Sequence, residues 1–96
     1  MAQYDYLFDL GRLVQQIEPA TARGEINSSH GQQIRNVYMR LRGEEESEIT
    51  PRIAELLIQN ITESANRLYP QGSISKSMVL DALSLIGKIL AQRDQR

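Results

Sequence analysis

Arg35 and Arg42 stand seven residues apart in a segment, Ser28 to Arg42, whose apolar residues Ile34, Val37, Tyr38 and Leu41 recur at helical spacing. At about 100° per residue the two arginines fall close together beside that stripe, next to Met39, while Arg40 lies on another side. Two stacked guanidinium groups can grip successive phosphates, because each is planar and donates in a fork that matches phosphate oxygens. Gln32 and Asn36 extend the polar surface nearby. Arg52, at the start of the next helix, joins it if the two helices pack side by side. The chemistry of such a patch is backbone holding without base readout. The same arginines could equally solvate a helix and pair with the acidic run Glu44-Glu45-Glu46-Ser47-Glu48.

Other reactive residue types are sparse. His30 is the only histidine and there is no cysteine, which puts the usual zinc sites out of reach. No spacing gives His30 an orienting partner for general-base work, so it is expected as a surface or helix-cap residue. The acidic run lacks the alternating oxygen ligands and central glycine of a calcium loop. Four carboxylates in five residues repel one another, so the run is expected as an exposed loop, open to a basic partner. The glycines at 11, 24, 31, 43, 72 and 87 are scattered, and none forms a phosphate-cradling loop. Ser28-Ser29-His30 does not make a catalytic triad. The expectation is a protein that is not an enzyme and uses neither metal nor cofactor.

Composition sets the frame. A chain of 96 residues is expected to form one domain. At that size it buries only about 60–65% of its unfolded surface, so association with a partner would help it. Hydrophobic content of 41% and charged content of 24% are ordinary for a globular domain and argue against disorder. The net charge of −1 gives no general basic excess, so any phosphate contact must come from a local patch. The lack of cysteine fits a reducing compartment. Met1 to Asp5 lack a basic region followed by an apolar run, and no apolar stretch nears the ~18 residues of a membrane span. The expected location is cytoplasmic, with no membrane contact.

Turn chemistry divides the chain into four helical segments. Tyr6, Leu7, Leu10, Leu13, Val14 and Ile17 share one face and predict a helix from about Gln3 to Glu18, stopped by Pro19. Gly11 costs that helix roughly 1 kcal/mol against alanine. Phe8 falls off the face, either as a contact for another subunit or packed under the linker Ala20 to Asn27. The second helix is expected to be capped by Ser28 or Ser29 and ended by Gly43. Thr50-Pro51 is a clear start signal for a third helix running to about Leu68. Its main face reads as Ile53, Leu57, Ile61 and Leu68. Ala54, Ile58 and Ala65 widen that face, which predicts packing on two neighbours. Tyr69-Pro70-Gln71-Gly72 breaks the pattern. Ser73 or Ser75 then caps a last helix to about Gln92, with Met78, Val79, Ala82, Leu83, Ile86, Ile89 and Leu90 in one arc. Gln92 to Arg96 are expected to fray. The fold class predicted is all-α, a compact bundle of four to five antiparallel helices, the fifth a short one in the linker.

The segment from Ile26 to Tyr38 resembles the small helical subunits of CRISPR effector (surveillance) complexes. Those proteins often carry a helix start rich in serine or threonine, then a glutamine, an isoleucine or leucine, an arginine and an aromatic residue. The matching positions here are Ser28, Ser29, Gln33, Ile34, Arg35 and Tyr38, and length and helical plan are similar. The resemblance implies a non-catalytic subunit present in several copies, assembled with other subunits. It also implies contact with the backbone of the guide RNA–target duplex or of the displaced strand. Only Arg35 is carried over from the motif; Arg42 is added by helix geometry. The alternative is a protein–protein adaptor or inhibitor, of an anti-defence or immunity type, acting through an acidic or apolar helical surface. A helix-turn-helix reading fares worse, because the turn after Gly43 is too long and too acidic.

Overall fold

A computed structural model describes residues 5–43 and 49–94. Among them are four α-helices and no strand: α1 (Tyr6–Ala22), α2 (Ser28–Arg42), α3 (Pro51–Leu68) and α4 (Ile74–Asp94). The acidic run Glu44 to Glu48 lies outside the described residues.

Helix α1 starts at Tyr6, the first residue of its apolar face, and not at Gln3. Asp5 caps it, its carboxylate accepting from the Phe8 N–H at 3.1 Å. Pro19 does not stop it; the helix runs through the proline to Ala22. Proline costs a helix its own N–H bond, and here tertiary burial and the real stop signal outweigh that loss. Ala20, just beyond the proline, is fully buried. The stop is Gly24, in left-handed conformation at φ +79°. Its N–H reaches Thr21 O at 3.1 Å and the Glu25 N–H reaches Ala20 O at 2.9 Å. These are the paired bonds of a Schellman turn, which only a residue tolerant of positive φ makes cheaply. The linker therefore shrinks and holds no fifth helix.

Helix α2 is capped by Asn27 rather than by either serine, its side chain accepting from the N–H groups of Ser29 and His30. Gly43 ends it with φ −73°, so its freedom at positive φ is not used. Thr50 and Pro51 open α3 as their types predict, with Thr50 Oγ1 accepting from the Ile53 N–H. Ser73 caps α4 by accepting from the Lys76 N–H at 3.2 Å. The end of α4 stays helical to Asp94. Arg93 Nη2 donates to Leu41 O at 2.8 Å. That bond satisfies a carbonyl at the negative end of α2 and ties down residues expected to fray.

The buried apolar residues form one cluster fed by every helix. Leu10, Ile17, Ile26, Ile34, Leu41, Val79 and Ile86 are its largest fully buried side chains. Each stabilises the fold by about 1.5–3 kcal/mol against exposure. Helix α4 packs on all three others, and α1 packs on α2 as well. Helices α2 and α3 do not pack along their lengths. With a radius of gyration of 13.1 Å the chain is compact.

The face of α3 differs from its sequence pattern. Ala54, Ile61 and Ala65 are buried, whereas Ile53 and Leu68 are half in water. Of the expected face Ile61 is buried and Leu57 is half-buried against the core, while the alanines let α3 sit close on α4 and leave Ile53 and Leu68 at its margin. It packs along one neighbour, not two.

Candidate functional site

The five polar residues singled out from the sequence do not converge. Arg35 and Arg42 share the edge of α2 that faces α1. Arg35 Nε donates to Glu18 Oε1 at 2.6 Å, with both side chains about half exposed. The Arg42 guanidinium lies 5.9 Å from the centroid of the Tyr38 ring. Asn36 instead turns toward α3. Gln32 is exposed, as is Arg52 in the first turn of α3. Among the described residues no hydrogen bond or ion pair links either of them to the two arginines. Arg35 is thus engaged by α1, and a phosphate there would compete with Glu18.

The α1–α2 seam beneath that edge is tight. Tyr38 packs over Gly11, where an added Cβ would stand 2.6 Å from the tyrosine hydroxyl. Gly31 faces Thr21 so closely that a Cβ would run into Thr21 Oγ1. The helix cost of Gly11 therefore has a purpose, since the glycine makes room for the ring.

The α2–α3 side is open. A groove of about 180 Å³ runs between the helices, walled by Val37, Ile49, Ile53 and Leu57, with Gln33, Asn36 and Arg40 as its polar lining. Arg40, set aside in the helix projection, is the charged residue of this groove. Ile53 is 50% exposed, Leu56 48% and Leu68 55%, so α3 leaves a good part of its apolar surface in water.

His30 closes one end of the α2–α3 junction. It is neither a surface nor a capping residue; only 4% of it is exposed. Its Nδ1 lies 2.8 Å from Tyr69 Oη and its Nε2 2.9 Å from Ser64 Oγ. Tyr69 Oη also accepts from the Asn27 N–H at 2.9 Å, and the two rings meet edge-on at 5.5 Å. Burial pushes His30 below its ordinary pKa. Burial also raises the Tyr69 phenol, against the opposing pull of the Asn27 N–H. Both rings are therefore neutral near pH 7, and every polar atom of the histidine has a partner. This is a clasp that fixes the start of α2 to the end of α3. Its partners lie 34 and 39 residues away in sequence, so no local spacing could name them. One signal was present: His30 sits four residues before Ile34, in line with the buried stripe.

A second groove, of about 380 Å³, opens between α1 and α4. It is lined by Asp9, Arg12, half-buried Leu13 and Gln16 on α1 and by Asp81, Ser84, half-buried Leu85 and Lys88 on α4. Each helix supplies residues at i, i+3, i+4 and i+7, so the groove follows one continuous face of both. Lys88 Nζ also lies 5.4 Å from the centroid of the Tyr6 ring.

Among the described residues no group of three or more His, Asp or Glu could hold a metal ion, and no helix is long and apolar enough to cross a membrane. No family model matches the chain, and neither a curated protein nor a solved structure matches it.

Proposed function

We propose that this chain is a non-catalytic subunit that works by docking into a larger assembly in the cytoplasm. One observation carries the reading: Ile53, on the wall of the groove that α2 leaves open, and Leu56 next to it on α3 keep about half their surface in water, with half-buried Leu57 beside them. Ile53, Leu56 and Leu57 stand within about one turn of α3, and apolar side chains grouped in this way are characteristic of a protein-binding face. The reading takes the bundle as antiparallel. In support, the start of α2 meets the end of α3 at His30, and the start of α1 meets the later turns of α4 at Tyr6 and Lys88.

The test is the native mass of the tagged protein purified from its source cells. The expected result is a particle well above the mass of the free chain. An Ile53→Asp/Leu56→Asp variant should leave that particle while keeping its helical circular dichroism. Wild-type protein recovered only as a free chain overturns the proposal.

A second reading adds nucleic acid, as the resemblance to CRISPR small subunits implies. It is favoured by the placement of Arg35 and Arg42 on one edge of α2. In that reading the two arginines hold the backbone of a guide–target duplex or displaced strand. An Arg35→Ala/Arg42→Ala variant should then bind more weakly across all sequences, with a flatter salt dependence. Unchanged affinity and salt slope remove it. Recovery with one protein and no nucleic acid points instead to an adaptor or inhibitor.

A further inference from the structure

The two walls of the α2–α3 groove differ in kind. Gln33, Asn36 and Arg40 line it from α2 at i, i+3 and i+7, so they form one row of amide and guanidinium donors. Ile49, Ile53 and Leu57 line it opposite. Ile53 and its neighbour Leu56 keep about half their surface in water. Among the described residues no carboxylate lines the groove. Helix α2 carries Arg35, Arg40 and Arg42 and no Asp or Glu. Arg35 is engaged by Glu18, and Arg42 lies over Tyr38. Arg40 has no ion pair among the described residues. On α3, exposed Arg52 stands one turn before Leu56, whereas Glu55 lies on the α4 side.

We propose that this groove holds an acidic amphipathic helix of a partner protein, its apolar side chains against Ile53, Leu56 and Leu57 and its carboxylates against Arg40. The proposal rests on the docking role of this face and names what docks there. Charge selects the occupant first. A guanidinium on a wall without carboxylates calls for an acid, and it holds a carboxylate with two parallel hydrogen bonds. The apolar wall then decides the source of the negative charge, because phosphates would leave Ile53, Leu56 and Leu57 unmatched. Backbone chemistry decides the form. An extended segment would press N–H and C=O groups without partners on the apolar wall. A helix satisfies its own, and its side chains at i and i+4 stand about 6 Å apart at 1.5 Å per residue, the interval from Ile53 to Leu57. A helix laid in an apolar groove is a recurring mode of protein recognition.

The size of the groove sets the strength. Its lining on α2 runs from Gln33 to Arg40, about 11 Å at 1.5 Å per residue. A contact of that length falls below the ~1,200 Å² of a stable interface. The docking expected is therefore reversible, and other contacts within the same assembly strengthen it by raising the effective concentration.

The experiment places a photo-reactive side chain at Asn36 and, separately, at Gln33 of the full tagged chain in its source cells, and identifies the cross-linked product by mass spectrometry. The expected product is a protein segment with apolar residues at i, i+3 or i+4 and Asp or Glu flanking that stripe. Arg40→Glu should weaken the association with that protein at least about tenfold and Arg40→Lys less. Changing the partner's acid to Lys should restore binding to Arg40→Glu, which also separates lost pairing from lost folding. Wild type recovered only as a free chain overturns the docking reading and this proposal with it. Three results overturn this proposal alone: a particle that forms with no cross-link from either position, a cross-link to nucleic acid or to a segment without carboxylates, or an Arg40→Glu variant that binds as wild type does.

Discussion

Helix α2 has two seams, and they are built in opposite ways. On the α1 side the backbones approach through Gly11 and Gly31, Tyr38 fills the gap over one glycine and Thr21 covers the other. An ion pair between Arg35 and Glu18 closes the rim. On the α3 side the helices stand apart over a groove and are joined at one end by the His30 clasp. The first seam gains its stability from many small contacts spread over its length. The second concentrates it in one buried side chain. A distributed seam tolerates the loss of any one contact, whereas a pinned one does not. The second seam leaves apolar surface of α3 in water that a seam of the first kind would bury.

The largest break in that contrast is His30→Ala. It leaves the Tyr69 and Ser64 hydroxyls without their partner and opens a void, for a loss of about 2–4 kcal/mol in urea unfolding. A loss no greater than that of an exposed residue would mean the clasp is not what joins α2 to α3. Next come the two glycines, which separate rigid from yielding neighbours. Gly31→Ala should cost about 1–3 kcal/mol, since Thr21 is β-branched and its hydroxyl donates to Ile17 O at 2.7 Å, so it cannot turn away. Gly11→Ala should be close to neutral, because the tyrosine ring can shift and alanine restores about 1 kcal/mol of helix propensity. Equal costs at the two sites would show the α1–α2 seam to be uniformly rigid.

A gentler probe is pH. His30 has a folded pKa below its ordinary value of about 6.5, through burial. The unfolded chain therefore takes up a proton first as the pH falls. The clasp's full contribution is present above pH 6.5 and is lost as pH drops from there toward the folded pKa. Thermal melts from pH 7.5 to 5 should show a fall in midpoint that is absent in His30→Ala. The smallest effect belongs to Arg35→Ala, at about 0–1 kcal/mol, because its ion pair is half exposed and screened by salt. A larger loss would give the rim of the tight seam more weight than its burial allows.

Local chemistry made much of the fold readable. Thr50-Pro51 and the break at Tyr69 to Gly72 act within one turn of the chain, and their effects follow from residue type alone. Pro19 misleads because its penalty is local while the burial of Ala20 and the Schellman turn at Gly24 lie further along. The face of α3 misleads for another reason. Periodicity marks which residues can be buried, not which neighbour arrives, and two alanines drew α3 onto α4. The candidate site was less readable. Helix geometry placed Arg35 and Arg42 together, but Glu18, Tyr69 and Ser64 come from turns far away in sequence. Arg40 was passed over because its importance depends on the groove that α3 opens beside it.

Helix α4 packs on each of the other three and follows them all in the chain. During translation α1, α2 and α3 therefore leave the ribosome before the element that covers their apolar faces. The hydrogen bond from Arg93 to Leu41 O closes over 52 residues and forms only when the last turn of α4 is free. Folding of this bundle is thus completed after synthesis of that turn rather than in step with it. Until then the faces of α1, α2 and α3 that pack on α4 stay uncovered.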